Sequence, residues 1–234
     1  MVLLVLFAAL GATARVRNTA WFQRSFNSEG VAFVVGYLAL YVLDTGVALA
    51  VIAALWFLKR RRSEFFLVVG DLDAPIKRVR WLGIRGGEPW TPFAFIFASA
   101  AGLCVLVPTV LALRPSPETL LRALPLLPAV LLFSAVNAFT EEVYFRASFL
   151  ATLHETIGRA HTLLITIVFF ALAHYLYGSP PGILGAAMTG FLAYLLGKSM
   201  LETRGMLWAW FIHFVPDVVV FASYAILFVQ KSGR

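Results

Sequence analysis

Charge is scarce in this chain and cysteine nearly absent. Asp, Glu, Lys and Arg make up 13% of its 234 residues, about half of the roughly 25% usual in soluble domains. Cys104 is the sole cysteine, which excludes an intrachain disulfide and a Cys-rich metal site. No glycine-rich phosphate loop occurs, so ATP-driven transport has no support. The zinc-protease pattern His-Glu-x-x-His is missing, because the run from His154 and Glu155 meets Gly158 where the second histidine should stand. A Gly-x-Ser-x-Gly nucleophile elbow is missing too, since Ser179 follows Gly178 directly. An aspartyl intramembrane protease would hold a Gly-Asp pair inside a span, whereas Gly70 and Asp71 fall in the most polar stretch. Neither an internal repeat nor a low-complexity segment is visible.

What the chain has in abundance is apolar sequence: 61% hydrophobic residues and a mean hydropathy of +0.86. These values define an integral, multi-pass membrane protein, placed in the cell membrane if the source is bacterial. Backbone polar groups at membrane depth must be satisfied internally, so the spans are helices. The expected fold is all-α, a polytopic transmembrane helix bundle of about seven spans. Apolar runs cover 2–14 (short for a span, and without the basic flank of a signal peptide), 31–58, 93–113, 124–150, 162–177, 183–200 and 206–229. Pro125 and Pro128 mark a kink or a first turn in the fourth run.

Residues 59–92 form a basic loop in which Trp81 and Trp90 alternate with Lys77, Arg78, Arg80 and Arg85. The pattern suits either an element at the membrane surface or a solvated connection. A division follows into N-terminal helices with this loop (1–115) and a core (116–234), together one structural domain. The net charge of +7 would suggest nucleic acid in a soluble protein. Here it suits anionic lipid headgroups instead, and no nucleic-acid partner is expected. Alternation of spans puts 11 Lys/Arg on the side of the 59–92 loop and 7 on the other, a modest positive-inside bias.

Only four acids fall within apolar runs: Asp44, Glu141, Glu142 and Asp217. Each costs about 2.5–3.5 kcal/mol at mid-membrane on insertion scales, so chance occurrence is a poor explanation. Glu142 and Arg146, four residues apart, share a helix face and can pair. Glu141 is rotated by about 100° from Glu142 and has no local partner, as a proton acceptor requires. A structural ion cluster is the competing explanation. His213 and Asp217 are likewise four apart, an imidazole beside a carboxylate. His174 closes the fifth run. Asp44 is either a further member of the site or a lone helix–helix contact.

The three patterns Glu-Glu-x-x-x-Arg (141–146), Phe-x-x-x-His (170–174) and His-x-x-x-Asp (213–217), in that order, resemble the CAAX protease and bacteriocin-processing family of intramembrane glutamic proteases. The likeness covers residues 118–229. It implies a polar intramembrane cavity and an endopeptidase that hydrolyses a peptide bond of a membrane-associated protein or peptide. By that resemblance Glu141 is the general base, His174 positions the water, and His213 with Asp217 stabilises the oxyanion, with Glu142 and Arg146 in support. Prenyl-protein-processing relatives carry Asn where Asp217 stands. An ionised carboxylate cannot donate to an oxyanion, so Asp217 is either protonated in the site or acts through His213, and the four-residue spacing favours the second. No obligatory cofactor is expected. The alternative is Zn²⁺ on Glu141, His174 and His213, although no ligand pair has the tight spacing of a structural zinc site. Two other functions compete: a non-proteolytic scaffold or self-immunity factor against a bacteriocin, and a proton-coupled transporter using Glu141 and His174 as a relay.

Overall fold

A computed structural model describes residues 1–27, 31–177 (of Tyr177 the backbone only) and 181–232. Ten α-helices occur among them: α1 (Val2–Arg17), α2 (Ala20–Phe26), α3 (Phe33–Phe57), α4 (Trp90–Leu113), α5 (Pro117–Ala123), α6 (Leu127–Glu142), α7 (Ser148–Ile157), α8 (Arg159–Tyr177), α9 (Gly182–Thr203) and α10 (Leu207–Ser232). There is no strand among the described residues, only two isolated bridges in the basic loop. Six stretches are long and apolar enough to cross a membrane, or seven if α1 and α2, bent by 71°, count as one span. The protein is therefore an all-helical integral membrane protein of the expected size.

Local chemistry sets the helix boundaries. Thr19 accepts a hydrogen bond from the Phe22 N–H and starts α2; Ser116 does the same for Thr119 and starts α5, with Pro117 in the first turn. Pro125 lies in a short 3₁₀ turn, and Pro128 occupies the first turn of α6. The expected break at Ser179 and Pro180 lies outside the described residues. Large apolar side chains on the outer faces, such as Leu38, Val42 and Leu49 of α3 and Leu103, Val107 and Leu111 of α4, are exposed. Such a surface is stable against lipid rather than water.

Helix α10 is central, packing on α4, α6 and α9, while α8 lies along α9 and α1 along α3. Small residues bring α8 and α9 together. A Cβ on Gly197 would stand 2.4 Å from Leu163 Cδ1, and one on Gly190 would touch Ala171. Buried residues of both halves of the chain, from Val2 and Leu55 to Leu150 and Ile212, form one contiguous cluster.

The basic loop keeps Lys77, Arg78, Arg80, Trp81 and Arg85 exposed around a buried centre. It folds into a cap of 3₁₀ turns and bridges with Phe65, Ile76 and Trp90 fully buried. Its partners are distant in sequence. Glu202 accepts from the Lys77 N–H and from Trp90 Nε1, Lys198 Nζ donates to the Lys77 carbonyl, and Trp208 Nε1 donates to the Leu72 carbonyl. The Asp71 N–H donates to the Thr203 carbonyl and the Met206 N–H to the Val68 carbonyl, which ties the cap to the α9–α10 corner. Arg60 pairs with Glu155 at 3.0 Å. The 59–92 loop, the α7–α8 corner and the α9–α10 corner thus share one end of the bundle, as the alternation of spans requires.

At the crossing of the cap and the corner, Gly205 lies so close that a Cβ there would be 2.2 Å from the Val69 carbonyl oxygen. Backbone cannot yield as a side chain end does, so Gly205→Ala is expected to cost about 1–3 kcal/mol, the usual range for overpacking. A lower thermal midpoint with new proteolytic cuts in 63–89 is the expected result. An unchanged midpoint would show that the corner tolerates the displacement.

Candidate active site

Helix α6 carries Asn137, Glu141 and Glu142 into the centre of the bundle and then loosens. Residues Val143–Ala147 form a π-helical turn between α6 and α7. This departs from the regular 3.6-residue helix assumed for Glu-Glu-x-x-x-Arg. Such insertions cluster at functional sites, and here the turn is fixed by a tertiary contact, the Tyr144 hydroxyl donating to the Asp44 carbonyl of α3.

The expected Glu142–Arg146 pair exists across this turn, with Arg146 Nη1 3.0 Å from Glu142 Oε1 and both side chains fully buried. The guanidinium makes no well-aligned hydrogen bond. It is held by charge and by the Phe170 ring, whose centroid lies 3.9 Å from Cζ. Phe170 of α8 also packs on His174, with ring centroids 4.2 Å apart, and edge-on against His213 at 5.6 Å. One aromatic side chain therefore spaces the arginine and both imidazoles.

His213 of α10 departs from its expected pairing. Its Nδ1 lies 2.8 Å from Glu142 Oε1, so Glu142, not Asp217, fixes the orientation of the ring. Nε2 faces Glu141 Oε2 at 3.5 Å and Asp217 Oδ2 at 3.8 Å, both beyond a hydrogen bond. Both ring nitrogens thus look at carboxylate oxygens, which only accept, and both stand in donor positions. Asp217 is engaged elsewhere. Asn137 Nδ2 donates to its Oδ2 at 2.9 Å, and the Tyr41 hydroxyl of α3 donates to Asn137 Oδ1 at 3.0 Å. This chain assigns the amide orientation. Asn137 was not anticipated as a site residue, although it lies four residues before Glu141 on the same helix face. Tyr41 had no local signal at all.

Glu141 Oε2 makes no hydrogen bond within the protein, yet it is buried beside the imidazole. His174 Nδ1 lies 2.9 Å from the Phe170 carbonyl, which can only accept. The proton is therefore on Nδ1, and Nε2 carries the lone pair. Glu141, His174 and Asn137 line two cavities at once. One, about 470 Å³, is walled mainly by apolar side chains such as Phe97, Ala101, Met188 and Leu192, and also contains His213 and Asp217. The other, about 510 Å³, is more polar and contains Thr13, Arg17, Asn18, Asp44, Thr140 and Tyr144. As to zinc, no group of three His, Cys, Asp or Glu side chains among the described residues converges as a metal cage does. Glu142 occupies the Nδ1 side of His213, and Glu141 and Asp217 approach its Nε2.

Carboxylates and imidazoles from α6, α8 and α10 are thus gathered inside a bundle of apolar helices. The family model described as Rce1-like, type II CAAX prenyl endopeptidase, matches residues 123–219. The matched segment runs from the 3₁₀ turn before α6 to two residues past Asp217 and includes Glu141, His174 and His213. At family level the match supports a CAAX-type intramembrane protease with a membrane-associated peptide as its kind of substrate. No curated protein and no solved structure matches the chain.

Proposed function

We propose that the protein is an intramembrane endopeptidase that hydrolyses a peptide bond of a membrane-associated protein or peptide with water activated by Glu141 and His174. The observation that carries this reading is that both residues, from different helices, stand in the wall between the two cavities. A water there has two acceptors for its two hydrogens, a Glu141 carboxylate oxygen and His174 Nε2. Glu141 takes a proton as the water oxygen adds to the scissile carbonyl carbon. The tetrahedral oxyanion then lies against His213 Nε2–H, with Glu142 holding that ring from behind. As the C–N bond breaks, Glu141 returns the proton to the leaving amine.

Asp217, as a carboxylate, cannot serve the oxyanion, but it fixes Asn137, whose second amide hydrogen is free to donate. Asn137→Ala is accordingly expected to lower kcat by about 10–100-fold, the value of one hydrogen bond to a charged partner (about 1.5–3 kcal/mol). Asn137→Ala turning over at the wild-type rate would remove Asn137 from the mechanism.

The direct experiment is cleavage of membrane-associated peptides by detergent-purified protein, with and without 1,10-phenanthroline. Water activation by Glu141 and His174 needs no obligatory metal, so activity is expected to persist under the chelator. Loss of activity restored by Zn²⁺ would replace this mechanism with a metal-bound nucleophile. Unaltered cleavage by His174→Ala would remove His174 from water positioning.

A further inference from the structure

Asp44, the one intramembrane acid with no part in the chemistry above, borders the polar cavity together with Glu141 and His174. Arg17, at the end of α1, reaches it, with Nη2 2.5 Å from Asp44 Oδ1. The pair is not sealed in the core, the two side chains being 34% and 20% exposed. Nor is the guanidinium saturated. Arginine offers five N–H donors, and its Nε is buried without a hydrogen-bond partner among the described residues. The other polar walls of the cavity, Thr13, Asn18, Thr140 and Tyr144, are uncharged. Among the described residues, Arg17 is thus the one cationic side chain lining a chamber whose reactive end is a carboxylate.

We propose that Arg17 is a specificity-determining residue that binds a carboxylate of the peptide substrate, with Asp44 as its counter-ion when no substrate is present. The inference rests on the protease reading and extends it to the kind of peptide accepted. A negatively charged peptide approaching Glu141 and Asp217 is repelled unless a cation receives it, and guanidinium binds a carboxylate through two parallel N–H bonds. Asp44 uses one of these donors and holds the side chain in place through α3. A peptide lying across Glu141 would put an apolar residue among Met188, Leu192 and Phe97 on one side of the scissile bond. On the other side its carboxylate reaches Arg17. The carboxylate is either the end of the chain or an acidic side chain.

The test is equilibrium binding of a fluorescent apolar hexapeptide to the full-length protein carrying Glu141→Gln, so that no turnover intervenes. The peptide is prepared as the free acid, as the C-terminal amide, and as two amides with Glu or Gln at the penultimate position. The acid or the Glu peptide is expected to bind about tenfold tighter than its neutral counterpart, and which of the two does so identifies the source of the carboxylate. Adding Arg17→Gln should equalise the pair, and Arg17→Lys should restore part of the difference. Asp44→Asn, which frees Arg17, should tighten the charged peptide further and serves if Arg17→Gln does not fold. Equal binding of acid and amide together with equal binding of Glu and Gln, a preference that survives Arg17→Gln, or an unchanged affinity in Asp44→Asn would each overturn the proposal. Charge-selective binding by a protein that cleaves nothing would support this site while defeating the protease reading, so the two fail separately.

Discussion

Glu141→Gln is expected to abolish peptide hydrolysis and leave the bundle folded. The substitution keeps the size of the side chain and removes the proton acceptor, and general-base catalysis is worth about 10²–10⁴-fold in rate. The fold should not depend on the lost charge, because Glu141 Oε2 makes no hydrogen bond within the protein and its nearest cation-capable group, His213 Nε2, is 3.5 Å away. Turnover measured on detergent-purified protein, beside its thermal unfolding curve, checks both halves of the expectation. Wild-type turnover at an unchanged midpoint would remove Glu141 from the role of base. The same replacement at the neighbouring residue is a different experiment, since Glu142 is bonded to both Arg146 and His213.

Arg146→Ala should act on stability before activity. The guanidinium is fully buried between Glu142 and the Phe170 ring. Removing one partner of a buried pair strands the other charge, at about 3–5 kcal/mol. The cavity left beside Phe170 adds to this and loosens the spacing of His174 and His213. The expected result is a much lower yield of folded protein and a lower thermal midpoint. Arg146→Lys should recover only part of the loss, because an ammonium keeps the charge but neither the planar stacking nor the fork of donors. Normal yield and midpoint for Arg146→Ala would show that Glu142 is neutralised from another source.

Most of the helices were legible because a membrane leaves the backbone few alternatives and because Pro and Gly mark the corners. The Glu142–Arg146 pair was legible for a related reason: spacing on one helix fixes which side chains share a face. The same logic misled at His213. Asp217 is its neighbour along α10, but the carboxylate that orients the ring comes from Glu142, seventy-one residues upstream. Periodicity reports faces and is silent on which helix each face meets. Asn137 could have been found by extending the spacing argument four residues back from Glu141. Tyr41 could not, since its bond to Asn137 spans ninety-six positions. The contacts of the cap were hidden for the same cause. Its charges and glycines resemble a solvated loop until Glu202 and Lys198 are seen to receive its backbone and Trp90.

The capped end of the bundle also gives the chemistry a direction. Helix α3 runs into the cap at its C-terminus, α9 reaches it at Thr203, and α8 begins at the α7–α8 corner on the same side. The cavity walls are drawn from the other ends: Tyr37 and Tyr41 of α3, Gly185 and Met188 of α9, and His174 of α8. Arg17 and Asn18, where α1 turns into α2, belong to that far side as well. Hydrolysis in such a site would be vectorial. Only chain segments presented from one leaflet would meet Glu141, and the newly cut polar termini would leave towards the leaflet from which the substrate came.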